Sequence, residues 1–302
     1  MSNRRAYSLV EVLVVIGILG VLFALLLGAI QNVRAMSLRL SSINNLRQII
    51  LATHQYTATR TDSLLPGIRD PQLKSSMFGQ FEETPFISIL PYLEGDFDRP
   101  RFVPGSGWVG EYGRVKTYIS PADPSIDRVT VMYVSVTGAV EYGGPKTPSS
   151  YAFNMCALSR APIMPSGFPD GTSLTIAFVE RYYCCGRNMT RFNYDEWQAP
   201  WGNEFANGED PSTRRATFAD APWRDVVPVV QGNPPVARAS VPGLTFQVRP
   251  RPEDANYRIA QTPHAAGLPA AHFDGSVHVI APSVSEQVFW GMVTRDGGEW
   301  VE

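Results

Sequence analysis

The run Val12–Ile30, VLVVIGILGVLFALLLGAI, contains no charged residue. At ~1.5 Å per residue it reaches ~28 Å, close to the ~30 Å hydrocarbon thickness of a bilayer. A secretory signal peptide has a shorter apolar region, ~7 to 15 residues, followed by a small-residue cleavage site and a polar stretch. Here helical periodicity continues instead. Beyond Ile30, Val33, Met36, Leu40, Ile43, Leu46, Ile50 and Tyr56 recur at helical spacing, with Arg34, Arg39, Asn45, Arg47 and Gln48 between them. The pattern predicts one continuous helix over residues 7–58, transmembrane over 12–30, ending before the Pro66-Gly67 break. Its first half suits lipid or a hydrophobic filament core, and its second half suits packing on a globular domain.

After Tyr56 the helical period gives way to short segments separated by turn residues, with 25 Gly and 25 Pro in the chain. Strands are expected at Val129–Val136, Ser150–Leu158, Ser173–Val179, Val226–Val230 and Leu244–Val248, and a surface excursion from Arg187 to Pro222. Asp274-Gly275 lies between alternating segments, which predicts a hairpin with a two-residue type I′ turn. Ser283-Val284-Ser285-Glu286 reads as a capping box for a terminal helix over Gln287–Val293, ended by Asp296-Gly297-Gly298. The fold class is therefore α+β, a long N-terminal helix packed on a mostly antiparallel β domain over residues 59–302. With 302 residues the chain can bury a sizeable core. A net charge of −2 and 18% charged residues point away from nucleic acid as a partner and from a disordered chain.

The residues before the apolar run, Arg4-Arg5-Ala6-Tyr7-Ser8-Leu9-Val10-Glu11, resemble a prepilin processing site: basic leader, small residue, aromatic, Ser, Leu, any residue, Glu. Ala6 stands where the family usually has Gly, and Tyr7 where it usually has Phe. The resemblance implies a leader over 1–6, cleavage after Ala6 by a prepilin peptidase, and N-methylation of Tyr7. It also implies an assembly role for Glu11, pairing with the Tyr7 amine of a neighbouring subunit. Independently of the family, a carboxylate within an apolar span costs ~2.5 to 3.5 kcal/mol at full depth, so Glu11 calls for a partner. Gly28 lies where many pilin helices carry a helix breaker; tight helix packing together with Gly17 and Gly20 is the alternative.

Further along, Asn44-Asn45-Leu46-Arg47-Gln48-Ile49, Leu90-Pro91-Tyr92-Leu93-Glu94, Asp170-Gly171-Thr172-Ser173 and Asp274-Gly275-Ser276-Val277 extend the resemblance. They resemble, in order, a prepilin-like family abundant in planctomycetes whose C-terminal domain has no assigned function. Where that family commonly has Cys-Pro-x-Asp, this chain has Ser120-Pro121-Ala122-Asp123, so a cysteine pairing through that position is absent.

Four histidines occur, and His264, His272 and His278 cluster in sequence. A two-residue turn pairs His272 with Val277 and places His278 on the opposite face, so the two imidazoles are not expected to converge on a metal. His54 lies off the apolar stripe and reads as a surface residue. Asp123, Asp127, Glu141, Asp170 and Asp195 are of the type that ligates calcium, but their spacing selects no site and turn chemistry explains Asp123-Pro124 and Asp170-Gly171 equally well. No metal site and no cofactor is assigned. Cys184-Cys185 is adjacent, and a vicinal disulfide is strained. A bond from Cys156 to one of the pair is favoured over it, with three reduced thiols as the remaining alternative. There is no nucleophile elbow, phosphate-binding glycine loop or His-Glu-x-x-His, so no catalytic residue is assigned and an enzyme is not expected.

The reading that follows from the resemblance is a pilin-like or pseudopilin-like structural subunit for secretion or surface-appendage work. Its partners are the prepilin peptidase, membrane lipid and copies of itself or related subunits. It is placed in the inner membrane as a single-pass protein with the C-terminal domain outside. Arg34, Arg39 and Arg47 follow the span against Arg4 and Arg5 before it, and this count by itself does not favour a cytoplasmic N-terminus. The alternative is a bitopic anchored envelope protein whose domain binds a glycan or protein ligand, which exposed aromatics such as Trp197, Trp201 and Trp223 would favour if they lined one surface.

Overall fold

The computed structural model describes residues 9–66, 84–93, 101–103, 107–109, 114–126, 131–134, 140–143, 147–158, 162–187, 190–193, 213–219, 244–257 and 259–295. Helix α1, Leu9–Ala58, is unbroken over 50 residues and therefore ~75 Å long. The chain divides into two compact units, Met1–Leu40 and Ser41–Glu302.

In the first unit every large apolar side chain from Leu9 to Met36 is exposed, Leu19 least at 46%. α1 continues unbroken through Gly17, Gly20 and Gly28, and apart from adjoining residues and the helix's own backbone no atom lies within 4 Å of where a Cβ on any of them would stand.

The second unit is built on a five-stranded sheet. Its strands are β1 (Tyr151–Asn154), β2 (Ile176–Glu180), β3 (Thr217–Phe218), β4 (Leu268–His272) and β5 (Val277–Ile280), in the order β3-β1-β2-β4-β5. Only the β3–β1 pairing is parallel, so the sheet is mixed and mostly antiparallel. Both faces are covered. Tyr151, Phe153, Phe178 and Ala271 pack in one cluster with Leu46, Ile49 and Ile50 of α1 and with Phe86 of helix α2 (Pro85–Ile89). Ala152, Ile176, Val179 and Ala270 pack in another with Phe289, Trp290 and Val293 of the terminal helix (Glu286–Val293). Alternation along each strand thus feeds two layers, which is why β2 is buried at every position. The protein is α+β, with the C-terminal part of a long N-terminal helix packed in the sheet domain.

Several expected elements differ in extent. The strand expected over Ser150–Leu158 stops at Asn154 and turns into a short helix, Met155–Leu158. Asn154 causes the change: its Oδ1 accepts from Ala157 N (3.1 Å), and its Nδ2 donates to the Ile176 and Val293 carbonyls (2.7 Å each). The strand expected from Ser173 begins at Ile176, because residues 171–175 form a turn in which Thr175 Oγ1 donates to the Gly171 carbonyl (3.1 Å). The other two described strands are shorter than expected, Val131–Val134 and Phe246–Val248. The stretch read as a surface excursion contains strands Thr190–Asn193 and Thr213–Arg215 as well as β3, an edge of the central sheet. Val226–Val230 lies outside the described residues.

The hairpin forms, but with a three-residue loop. Ala271 faces Val277 and Ala270 faces His278; Gly275 N donates to the His272 carbonyl (3.0 Å) and His272 N to the Ser276 carbonyl (2.9 Å). Gly275 is left-handed, φ +92°, so this is a type I turn followed by a glycine bulge, not a type I′ turn. The terminal helix is capped by Ser285, whose hydroxyl accepts from Val288 N, and not by Ser283. Asp296-Gly297-Gly298 lies outside the described residues.

Candidate functional site

Two features invite a functional reading: the exposed apolar half of α1, and a buried polar cluster in the second unit.

α1 contains a stretch long and apolar enough to cross a membrane, and none of that stretch is buried inside the protein. It has no polar stripe there, unlike a helix laid on a globular core. Glu11 stands in its first turn. Ala6 and Tyr7 lie outside the described residues.

The buried cluster centres on Glu180, the last residue of β2, which is fully buried. Its Oε1 accepts from Ser42 Oγ of α1 (2.5 Å) and from Ser120 Oγ (2.7 Å), and the two hydroxyls lie 2.8 Å apart. Thr262 Oγ1 is 3.2 Å from both Glu180 Oε2 and the Gly267 carbonyl. His264 Nε2 lies 3.3 Å from Glu180 Oε2 but off the hydrogen-bond line. Upstream, Asn45 Nδ2 donates to Tyr151 Oη (3.1 Å) and to the Ile119 carbonyl (3.0 Å), and Tyr151 donates to Ser42 Oγ (3.3 Å). The donations therefore run one way, from Asn45 through Tyr151 and Ser42 to the carboxylate. Burial, and then the Glu180 carboxylate, push the Tyr151 phenol well above its ordinary value. Ser42, Ser120, Tyr151, Glu180 and Thr262 are all buried, and the cluster fastens α1 to the sheet.

A second hub adjoins it. Asp123 Oδ1 accepts from Ser125 N and Oγ (2.8 and 2.6 Å), and Oδ2 from Ser150 Oγ and Tyr183 N (2.7 and 2.9 Å). Burial pushes the Asp123 carboxyl up, with these four bonds opposing it. Asp123 is thus a turn and loop organiser. Among the described residues no group of three or more His, Cys, Asp or Glu side chains is placed to hold a metal ion. Asp127, the Glu141 side chain, Asp195 and the three tryptophans named above fall outside the described residues.

The histidines correct the expectation from sequence. The three-residue loop brings His272 and His278 to the same face, ring centroids 5.4 Å apart and 74° between planes. His54 is half-buried, not a free surface residue; its Nε2 has no hydrogen-bond partner and lies 3.9 Å from where a Cβ on Gly275 would stand. The hairpin tip therefore rests over α1. It is also held from the other side, by Phe273 N donating to the Thr175 carbonyl and Asp274 N to the Thr172 carbonyl (3.2 and 3.1 Å).

Burial, and then the neighbouring His278, depress the His272 imidazole below its ordinary value, with Asp274 opposing. Unfolded histidine titrates near ~6.5. Below that the unfolded chain takes up a proton that the native state resists, so stability present above pH ~6.5 is lost as pH falls through the depressed native value. His272→Gln is expected to flatten the loss of stability between about pH 7.5 and 5, as read by denaturant midpoints. An unchanged slope would remove His272 from the acid response.

All three cysteines are buried thiols without a disulfide, so the bond expected from Cys156 to one of the adjacent pair is not formed, and each lies in a different packing cluster. Burial pushes the Cys185 thiol up to about 12, partly offset by Arg181.

Described residues of the four motifs that carried the resemblance take part in packing and hydrogen bonds of this unit, and Glu94 lies outside the described residues. Leu46 and Ile49 are buried core, and Gln48 accepts from Thr117 (3.2 Å). Tyr92 bonds Thr59 (2.8 Å) and stacks edge-on to Tyr56 at 6.0 Å. The model of the family described as a protein of unknown function, DUF1559, matches residues 31–287. The chain belongs to the DUF1559 family. The prokaryotic N-terminal methylation motif matches residues 1–27 of this DUF1559 protein. No curated protein and no solved structure matches it. It is a pilin-like precursor with a hydrophobic N-terminal helix, and the apolar helix and the methylation motif together fit a membrane-anchored protein.

The residues that sequence reasoning missed are Ser42, Ser120, Tyr151, Glu180, Thr262 and His264. A signal was available for one of them. Glu180 and Arg181 directly follow the apolar run Ile176–Val179, and a charge at the end of a buried strand needs buried partners.

Proposed function

We propose that this DUF1559 protein is a structural, non-enzymatic pilin-like subunit, cleaved after Ala6, methylated on Tyr7 and assembled laterally through residues 7–30. One observation carries the reading. The methylation motif ends in an apolar helix whose whole circumference from Leu9 to Met36 is exposed, a surface that lipid or neighbouring helices must cover. Glu11 supplies the axial register by pairing with the Tyr7 amine of the next subunit, which relieves the cost of a carboxylate in the apolar layer. The precursor enters the inner membrane with the domain outside, and it assembles with copies of itself or related subunits.

The test is intact-mass and N-terminal peptide mass spectrometry on protein from native membranes, with and without the prepilin peptidase. A mature chain starting at methylated Tyr7 is expected, and Ala6→Leu should leave the precursor uncut. A chain still starting at Met1 or Ser2 with the peptidase present would sink the pathway and favour the bitopic envelope binding protein.

A further inference from the structure

We propose that Arg34 and Arg39 form a basic collar that binds anionic phospholipid headgroups on the side of the membrane from which the globular domain emerges. The proposal rests on the membrane-spanning reading of α1.

After the uncharged run ends at Ile30, Arg34 is the first charged residue, and no Asp or Glu occurs from Val12 to Thr61. α1 therefore leaves the apolar layer carrying cations and no acid of its own. Among the described residues neither arginine takes part in an ion pair. Arg34 is exposed and Arg39 half-buried.

Helix geometry sets their depth. Arg34 lies ~6 Å past Ile30 along the axis and Arg39 ~14 Å past it, against a headgroup layer of roughly 5–8 Å per side. Cα–Cβ bonds in a helix tilt toward its N-terminus, here back toward the span, and the arginine stem lets the guanidinium reach down while its methylenes stay on apolar surface. Between the arginines, Val33, Met36 and Leu40 are exposed at 65%, 57% and 56%. At ~100° per residue these three occupy one side of the helix, with Arg34 and Arg39 flanking it to either side. An apolar strip bordered by guanidiniums matches an interface in which acyl carbons lie beside phosphates, and the planar guanidinium accommodates phosphate oxygens bidentately.

A second copy is the weaker occupant. The one carboxylate in that part of α1 is Glu11, ~35 Å from Arg34 along the axis. Parallel copies in one membrane place it at the opposite face.

The experiment is electron spin resonance of the full chain reconstituted in phosphatidylcholine vesicles, using spin-labelled phosphatidylglycerol or phosphatidylcholine as probe. The protein-restricted signal is expected to favour phosphatidylglycerol by about five-fold, to weaken in high salt, and to lose the preference in the R34Q/R39Q double variant but not in R47Q. Equal restriction of both lipids overturns the collar and leaves the spanning helix intact, as does a preference that survives in the double variant. No restricted lipid at all overturns the spanning reading and the collar with it.

Discussion

Glu180→Ala is expected to lower the unfolding free energy of the chain by roughly 3–5 kcal/mol, as measured by guanidinium titration in detergent with tryptophan fluorescence. The carboxylate is fully buried and is the common acceptor for Ser42, Ser120 and Thr262. Truncation removes the shared acceptor of Ser42 and Ser120 in a buried space, leaving them only each other and Thr262 only the Gly267 carbonyl, and each buried group left unsatisfied costs about 1–3 kcal/mol. It also leaves His264 facing a void. Glu180→Gln keeps the volume but offers an amide donor to hydroxyls already committed as donors, so an intermediate loss is expected. A Glu180→Ala protein as stable as the wild type would mean that the contact between α1 and the sheet depends on apolar packing alone. Because Ser42 and Asn45 lie on the helix and Glu180 at the end of β2, the loss should appear together with loosening of α1 beyond residue 41, seen as faster amide exchange there.

Gly267→Ala should be at least as damaging, roughly 4 kcal/mol or more, a size reached only by changes that force the backbone to move. Gly267 has φ +127°, and a Cβ built on it would lie 2.0 Å from the Ile280 carbonyl oxygen and 2.9 Å from its carbon. Both obstacles are main-chain atoms of β5, so no rotamer change relieves them, and the Leu268–Ile280 pairing that opens the hairpin must part. Gly171→Ala is the control. It too has a positive φ, +95°, but nothing nearer than 4.0 Å, so only the backbone strain of about 1–2 kcal/mol is expected. Equal losses at the two glycines would mean that the close approach of Ile280 to Gly267 contributes nothing.

The reach of sequence reasoning followed how local each signal was. The Val12–Ile30 run and the stripe from Val33 to Ile50 report their structure within a few turns, and α1 runs from Leu9 to Ala58. Asn154 was not legible, because its two donations go to the Ile176 and Val293 carbonyls, acceptors that exist only once the sheet and terminal helix have met. The Glu180 cluster unites residues 42, 120, 180 and 262, and no spacing rule relates such distant positions. The hairpin failed more narrowly. Asp274-Gly275 serves a two-residue and a three-residue loop alike, since both want glycine at positive φ. One residue of register moves His278 across the sheet, so an error of one position inverted the expectation for the imidazoles.

The enclosed thiols have a consequence for reagents that approach from outside. Cys184 and Cys185 are fully buried and Cys156 is 8% exposed, and the Cys185 sulfur is held almost entirely as the unreactive thiol at neutral pH. The folded chain is thus chemically silent toward membrane-impermeant maleimides. A cysteine placed at an exposed site such as Ser283 would be the sole reporter of which compartment the domain faces, with the native sequence as its own blank.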